Sequence, residues 1–255
     1  MSFALRPFMP KSRENSTCPT TGSAADFLPS KLDLKSLARA AGRCQGCPLY
    51  CNATQVVFGE GPPDAPCMFV GEQPGDQEDL AGKPFVGPSG QILSSTMEQV
   101  GILRDEVYVT NAVKHFKFEP RGKRRIHSKP SAREVAACRP WLEAEIKVVK
   151  PQVIVCLGAT AAQSLLGSKF RLTQHRGQAL RETPWAPVVF ATVHPSSLLR
   201  IPDHEARQQA REQFVVDLKA VAKHLSSIKG GKRIESPAAA SVHVDHERSS
   251  FFAHR

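Results

Sequence analysis

No apolar run in this chain approaches the eighteen or so residues needed to span a bilayer. The first thirty residues carry scattered charge and proline but no continuous apolar stretch of the kind a secretory leader needs, so the expected compartment is the cytoplasm. The seven cysteines are an odd number, which in a cytosolic protein argues against a disulfide framework. Only one Cys-x2-Cys pair is present, so the second knuckle of a zinc ribbon is missing. No internal repeat occurs. No amphipathic basic helix accompanies the positive charge, and a membrane-surface role loses its main support.

What is present fits one α/β domain with flexible ends. The chain has 255 residues, 41% of them hydrophobic, which is enough for a real core. Apolar runs at Cys67–Gly71, Val107–Asn111, Gln152–Leu157 and Val188–Val193 read as strands. Helical periods follow or separate them at Leu32–Ala41, Ser89–Val100, Ser131–Val149, Ala159–Leu166 and Asp203–Leu225. The alternation implies βαβ units and a mostly parallel sheet of about four strands. In the last helix Phe214, Leu218, Val221 and Leu225 form an apolar stripe that should face the core. Residues 1–30 and 229–255 have loose compositions, leaving 31–228 as the folded domain.

The formal charge of +10 calls for a polyanionic partner. Part of it lies in the tail, but Lys114, Lys117, Arg121, Lys123, Arg124, Arg125 and Lys129 cluster mid-chain among ordered-looking elements. Nucleic acid is the expected partner.

Three segments carry chemistry. The run Met68–Gly71 ends in Glu72-Gln-Pro-Gly-Asp76-Gln-Glu-Asp79, placing carboxylates where an open α/β sheet builds its site. A second site-like turn follows the fourth strand, at His194-Pro-Ser-Ser-Leu-Leu-Arg200. His194 there can aim a ring nitrogen at a ligand oxygen, Ser196 and Ser197 can bind phosphate, and Leu198 and Leu199 can wedge between bases. Thirdly, Cys44 and Cys47 can hold one metal site with Cys138 and Cys156 as partners. Spacing alone leaves zinc and an iron–sulfur cluster comparable, with buried structural thiols as the alternative for Cys138 and Cys156. Cys51 and Cys67 read as structural, and Cys18 falls in the loose N-terminus.

Taken together these motifs resemble the uracil-DNA glycosylase superfamily, from about Cys44 to Leu225. Gly71-Glu-Gln-Pro-Gly-Asp76 looks like its first motif and His194-Pro-Ser-Ser-Leu-Leu-Arg200 like its second. Cys44, Cys47, Cys138 and Cys156 fall where the cluster ligands of its iron–sulfur branch fall, which implies a 4Fe-4S cluster serving structure rather than redox work. The basic loop Phe118-Glu-Pro-Arg121-Gly-Lys-Arg-Arg-Ile-His127-Ser-Lys-Pro130, with Gln73, is similar to the UdgX subgroup, whose members excise uracil and then bond covalently to the sugar through that loop's His.

The resemblance implies a single-domain α/β/α sandwich with a four-stranded parallel sheet, acting as a monomer on uracil-containing DNA, preferably single-stranded. It assigns Phe85 as the stacking face for uracil, Asn111 and Gln73 as base-binding residues, and His194 as donor to uracil O2. Glu72 and Asp76 become the electrostatic or water-directing carboxylates. Lys123, Arg124, Arg125, Ser196, Ser197, Leu198 and Arg200 are expected to hold the DNA. His127 becomes the nucleophile, with its basic neighbours disfavouring the imidazolium. Gly75 stands where bulk could exclude thymine's methyl group, so that discrimination must come from elsewhere.

Overall fold

The computed structural model describes residues 18–229. In chain order these form α1 (Leu34–Ala41), β1 (Cys67–Gly71), α2 (Asp76–Ala81), α3 (Pro88–Gln99), β2 (Val107–Asn111), β3 (Phe118–Arg121), β4 (Arg124–His127), α4 (Ala132–Val149), β5 (Val153–Leu157), α5 (Ala159–Leu166), α6 (Leu172–His175), β6 (Leu180–Arg181), β7 (Val188–Thr192), α7 (Pro195–Leu199) and α8 (His204–Lys229). Short 3-10 turns lie at Ala24–Phe27, Pro48–Cys51 and Arg104–Glu106.

Strands β1, β2, β5 and β7 are each five residues long and buried throughout. Because successive side chains point to opposite faces, both faces of such a sheet must be covered. On one face Phe69, Val109, Val155 and Phe190 pack with Leu93 and Met97 of α3 and with the α8 stripe Phe214, Leu218, Val221 and Leu225. On the other, Met68, Val70, Tyr108 and Ile154 pack with Leu142 and Ile146 of α4 and Leu165 of α5. This is an α/β/α sandwich.

The sheet order is β2-β1-β5-β7-β6. The first four strands are parallel, as expected, and β6 adds an antiparallel edge pair to β7. Two residues are too few to leave a pattern in sequence, which is why this fifth strand was not foreseen. From β1 the chain goes outward to β2, then returns to β5 on β1's other side. That reversal opens a crevice at the strands' C-terminal ends, between β1 and β5.

A third apolar cluster joins the N-terminal region to the flank of α4 through Leu37, Ala40, Cys44, Cys47, Cys138 and Trp141. Within the segment 1–30, residues 1–17 lie outside the described residues. Beyond them Thr21 N–H donates to Gln45 O at 3.2 Å and Tyr50 OH donates to Pro19 O at 2.7 Å. Those contacts bring Cys18 against Cys51, and the two are disulfide-bonded with Cα atoms 6.4 Å apart. Cys18 and Cys51, expected to be free, are paired because the segment docks beside the Pro48–Cys51 turn. The tail from 230 onward also lies outside the described residues. No helix among the described residues is long and apolar enough to cross a membrane.

Candidate active site

The crevice holds a cavity of about 440 Å³ whose lining includes Glu72, Phe85, Asn111, His127, His194 and Ser196. Four strand ends supply it. Register places Gly71 beside Asn111, so the residues following β1 and ending β2 meet side by side. Asn111 is 3% exposed, yet its side-chain amide makes no hydrogen bond to any described residue. The amide opens onto the cavity, where a ligand can meet both its donor and its acceptor. Gly71 is required here, since a Cβ would collide with Asn111 Oδ1 and with the tip of the Phe85 ring. Phe85 itself adopts φ +57°, a left-handed conformation that bulky residues avoid. Its ring lies 6.3 Å from that of His194 at an interplanar angle of 26°.

His194 is fixed by its own turn. Ser196 N–H donates to Nδ1 at 3.2 Å, and the Ser196 hydroxyl lies 2.8 Å from the same nitrogen. A backbone N–H can only donate, so Nδ1 is an acceptor and the proton of the neutral ring resides on Nε2. Burial drives the His194 pKa down to about 4; His127 and Arg200 push the same way, and Glu72 opposes them. At neutral pH His194 is therefore an uncharged Nε2–H donor. Glu72 bridges the crevice, accepting a hydrogen bond from Thr160 at the start of α5 and facing His127 Nε2 at 3.4 Å. Burial works to raise its pKa, but the hydrogen bonds from His127 and Thr160 prevail and hold the carboxyl below its ordinary range.

The basic segment is a β-hairpin rather than a loop. β3 and β4 pair from Phe118↔His127 to Arg121↔Arg124, and Gly122 at φ +58° makes the turn. Two clamps seat it over the cavity. Arg125 Nε donates to Asp76 Oδ1 at 2.6 Å and Nη1 to Asp79 Oδ2 at 2.5 Å, while its guanidinium lies 5.1 Å from the Phe118 ring centroid and 5.5 Å from that of Phe116. Gln73 donates to Lys117 O and Ser128 O at 3.2 and 3.0 Å and accepts from Lys117 N–H at 3.1 Å.

These contacts revise several expected roles. Gln73 has both amide hydrogens committed to the hairpin base, so it positions the hairpin, while its side chain also lines the cavity. Asp76 and Arg125 hold one another, so Asp76 anchors the hairpin and Arg125 is not a free phosphate ligand. Lys123 and Arg124 remain exposed at the hairpin tip. In the second motif Leu198 is 1% exposed and belongs to the core, leaving Leu199, at 43%, as the outward leucine. The Ser197 hydroxyl donates to His194 O at 2.7 Å, and Arg200 reaches Ser196 Oγ at 3.4 Å, so both serines first serve the turn. Replacing Arg125 with Ala should free the hairpin and reduce any reaction of His127 by roughly 100-fold. Rate measurements on that variant would check this, and an unchanged rate would remove Arg125 from the positioning role.

Glu78, unremarked in the sequence, ties the first motif to the Phe85 turn by accepting from Gly75 N–H at 3.1 Å and Gly87 N–H at 2.9 Å. A Cβ on Gly75 would meet Glu78 Oε2 at 2.6 Å, so a larger residue there would have to displace that carboxylate. Thr160 also escaped notice, because its role depends on the β1–β5 crevice and not on any local pattern.

Of the four expected metal ligands, three come together. Cys44, Cys47 and Cys138 share the third cluster; Trp141 Nε1 donates to Cys44 Sγ and Lys114 N–H to Cys138 Sγ, both at 3.3 Å. Burial pushes the Cys138 thiol up to about 12; Lys114 pulls against this, while the neighbouring Cys47 and Cys44 add to it. Cys156 is elsewhere. It sits in β5 opposite Val70 and Ala191 and packs among Met68, Ile154 and Leu142. Among the described residues no three His, Cys, Asp or Glu groups lie close enough to hold a single metal ion.

A family model for the uracil DNA glycosylase superfamily matches residues 58–219, a span that contains the whole cavity lining. The chain belongs to the uracil-DNA glycosylase superfamily. It is similar to the type-4 uracil-DNA glycosylase of Thermotoga maritima, with 41% identity over 68% of this chain and 86% of that protein. The type-4 enzyme of Archaeoglobus fulgidus is 34% identical over 74% of this chain and 91% of its own length. A DNA polymerase of Bacillus phage SP01 is 29% identical over 64% of this chain, but the match spans only 16% of that protein.

Proposed function

We propose that this protein excises uracil from DNA and then bonds through His127 to C1′ of the resulting sugar. Superfamily membership and the type-4 relatives support the first step; the seating of His127 beside Glu72 in the base cavity carries the second. Cleavage of the glycosidic bond leaves a cation at the sugar and an anion on uracil. Phe85 offers a stacking face, Asn111 a donor and an acceptor for one edge of the base, and His194 Nε2–H a donor for O2. The N1–C1′ pair departs with uracil. His127 Nε2 then forms the new bond to C1′ while its proton passes to Glu72, so the alkylated imidazole ends neutral and the charge resides on the uracil anion.

The target nucleotide must leave the stack, which costs least in single-stranded DNA, and that is the substrate we assign. The exposed Lys123, Arg124 and Leu199 are suited to grip it, and a monomer contains the complete site. We assign Cys44, Cys47 and Cys138, which border one apolar cluster, as ligands of a 4Fe-4S cluster, whose irons each take one ligand so that the thiols need not converge on a point. Such a cluster would staple the N-terminal region to α4.

The deciding experiment mixes the protein with a labelled single-stranded oligonucleotide bearing one deoxyuridine, followed by a denaturing gel. A band that survives boiling, absent with thymidine, supports the reading. Alkali-labile product without that band leaves a turnover glycosylase, and no product at all leaves a non-catalytic binder.

The pH profile offers a second check. Uracil release should hold steady from neutrality down to about pH 5 and fall as pH approaches about 4, where His194 gains a proton and loses its acceptor at Nδ1. Stability shifts with the same sign. Between about 4 and about 6.5 the unfolded chain binds a proton at this histidine that the folded chain excludes, so acid also favours unfolding. Thermal melts over the same pH range separate the two effects, and an acid limb beginning near pH 6.5 in folded protein would contradict the assignment of His194.

A further inference from the structure

We infer that the groove between α3 and α8 carries the single strand on one side of the flipped uracil, with Arg207 and Arg211 gripping its phosphates. The inference rests on the excision reading above and names where the flanking DNA lies. The groove has a volume of about 570 Å³ and is separate from the base cavity, but Pro88 lines both. The short helix α7 is the ridge between them. Its Ser196, with Arg200 one turn on, lines the cavity, while Leu199 turns the other way and lines the groove. A strand that leaves the cavity mouth over Pro88 and Leu199 enters the groove directly.

Two helical stripes form the walls. On α3, Gln91, Ser95 and Gln99 recur every fourth residue and are exposed, on the side away from the buried Leu93 and Met97. On α8, Gln208, Arg211 and Glu212 face them, while Phe214 and Leu218 enter the core. At the Leu199 end the groove adjoins a pocket of about 220 Å³, to which His204 and Arg207 add their side chains beside Arg211. Arg207 Nη1 donates to Ile201 O at 3.2 Å, which leaves its other donors for a ligand. Arg211 is exposed and makes no ion pair or hydrogen bond with any described residue. The carboxylate in this lining, Glu212, accepts from Gln208 Nε2 at 2.9 Å. Amide, hydroxyl and guanidinium groups without an aromatic ring suit a sugar–phosphate backbone better than stacked bases. The hairpin that carries Lys123 and Arg124 is anchored on α2 through Asp76 and Asp79, so hairpin and groove grip different lengths of the strand.

The test uses full-length protein and a labelled, uracil-free single strand, with affinity measured across a salt series. Arg211→Ala should weaken binding about fivefold, the upper end for an exposed ion pair, and flatten the slope of log affinity against log salt by about 0.7. Glu212→Gln should strengthen binding, because a like charge leaves the path of the phosphates. Neither change should move the melting temperature appreciably, since both side chains are exposed. A second series follows the rate of uracil release from strands with one deoxyuridine and either flank shortened. Wild type should slow when either flank is removed, and Arg211→Glu should respond to one flank only. Unchanged affinity and salt slope in Arg211→Ala, or equal response of Arg211→Glu to both flanks, would overturn the assignment and leave the excision reading standing. Arg211-dependent binding of a poly-aspartate peptide, with DNA binding unchanged, would also overturn it and give the groove to an acidic protein segment. If the first series behaves as expected and no uracil is released, the groove stands as a single-strand site and the excision reading falls.

Discussion

A His127→Ser variant is expected to release uracil from single-stranded DNA while forming no adduct that survives denaturation. Product should then exceed enzyme on a molar basis. The hairpin does not depend on His127 for its place: Arg125 and Gln73 seat it from below, and the His127 side chain is 46% exposed. The contact with Glu72 is half exposed, so folding stability should change by no more than about 1 kcal/mol. The base cavity, with Phe85, Asn111 and His194, is untouched. Serine vacates the space over Glu72 Oε1, and a water held there by that carboxylate can take the place of the imidazole at C1′. The denaturing gel measures the adduct, and uracil quantification over time measures turnover. An adduct persisting in the variant would mean that another nucleophile is responsible. Loss of both adduct and uracil release would mean that His127 assists bond cleavage itself, which the geometry of His194 and Glu72 does not require.

The Arg125→Ala variant should fall between these limits, because it retains the nucleophile but loosens its support. Comparing the two separates chemistry from placement. If His127 acted only as a phosphate contact, both substitutions would weaken binding alike and steepen no difference between capture and release.

The four buried strands were legible because each is an unbroken apolar run bounded by turn residues. The long helices were legible through their periodicity, and the α8 stripe faces the core as read. Local pattern failed where a residue's role is decided by a partner far along the chain. Gln73 looks like a ligand residue, yet its amide hydrogens are consumed by backbone groups 44 and 55 positions away. Arg125 looks like its neighbours Lys123 and Arg124, but only its side chain meets Asp76 and Asp79. Leu198 and Leu199 are indistinguishable in sequence; the short helix α7 turns one into the core and the other outward. Cys156 satisfied a spacing argument that ignored its strand, whose alternation commits it to an apolar face. The hairpin was missed as a strand pair because proline and four basic residues interrupt any alternating pattern in it.

The largest expected loss of stability lies beneath the site. Lys114 and Glu145 are fully buried and paired, with Nζ 2.5 Å from Oε2. Nζ also donates to Thr110 Oγ1 at 2.6 Å and to Asn111 O at 2.7 Å, while Glu145 Oε1 accepts from Tyr108 OH at 2.9 Å and Gly59 N–H at 3.1 Å. Lys114→Met should destabilise the fold by about 3–5 kcal/mol, because it strands Glu145 as a buried charge without a counterion. At roughly 2–4 °C per kcal/mol for a domain of this size, the melting temperature should drop by on the order of 10 °C. Adding Glu145→Leu should recover much of that loss, since the penalty comes from the unpaired charge and not from absence of the pair. Function should not recover with it. Lys114 is the link between the Asn111 carbonyl and, through its own amide, Cys138 Sγ, so the double variant folds with the base-binding amide less firmly oriented. Calorimetry on both variants tests the stability claim, and titration with free uracil tests the orientation of Asn111. Restored melting with weakened uracil binding is the expected pair of results. Full recovery of both would reduce the buried pair to packing, and failure of the second substitution to restore stability would place the energy in the lysine's own hydrogen bonds.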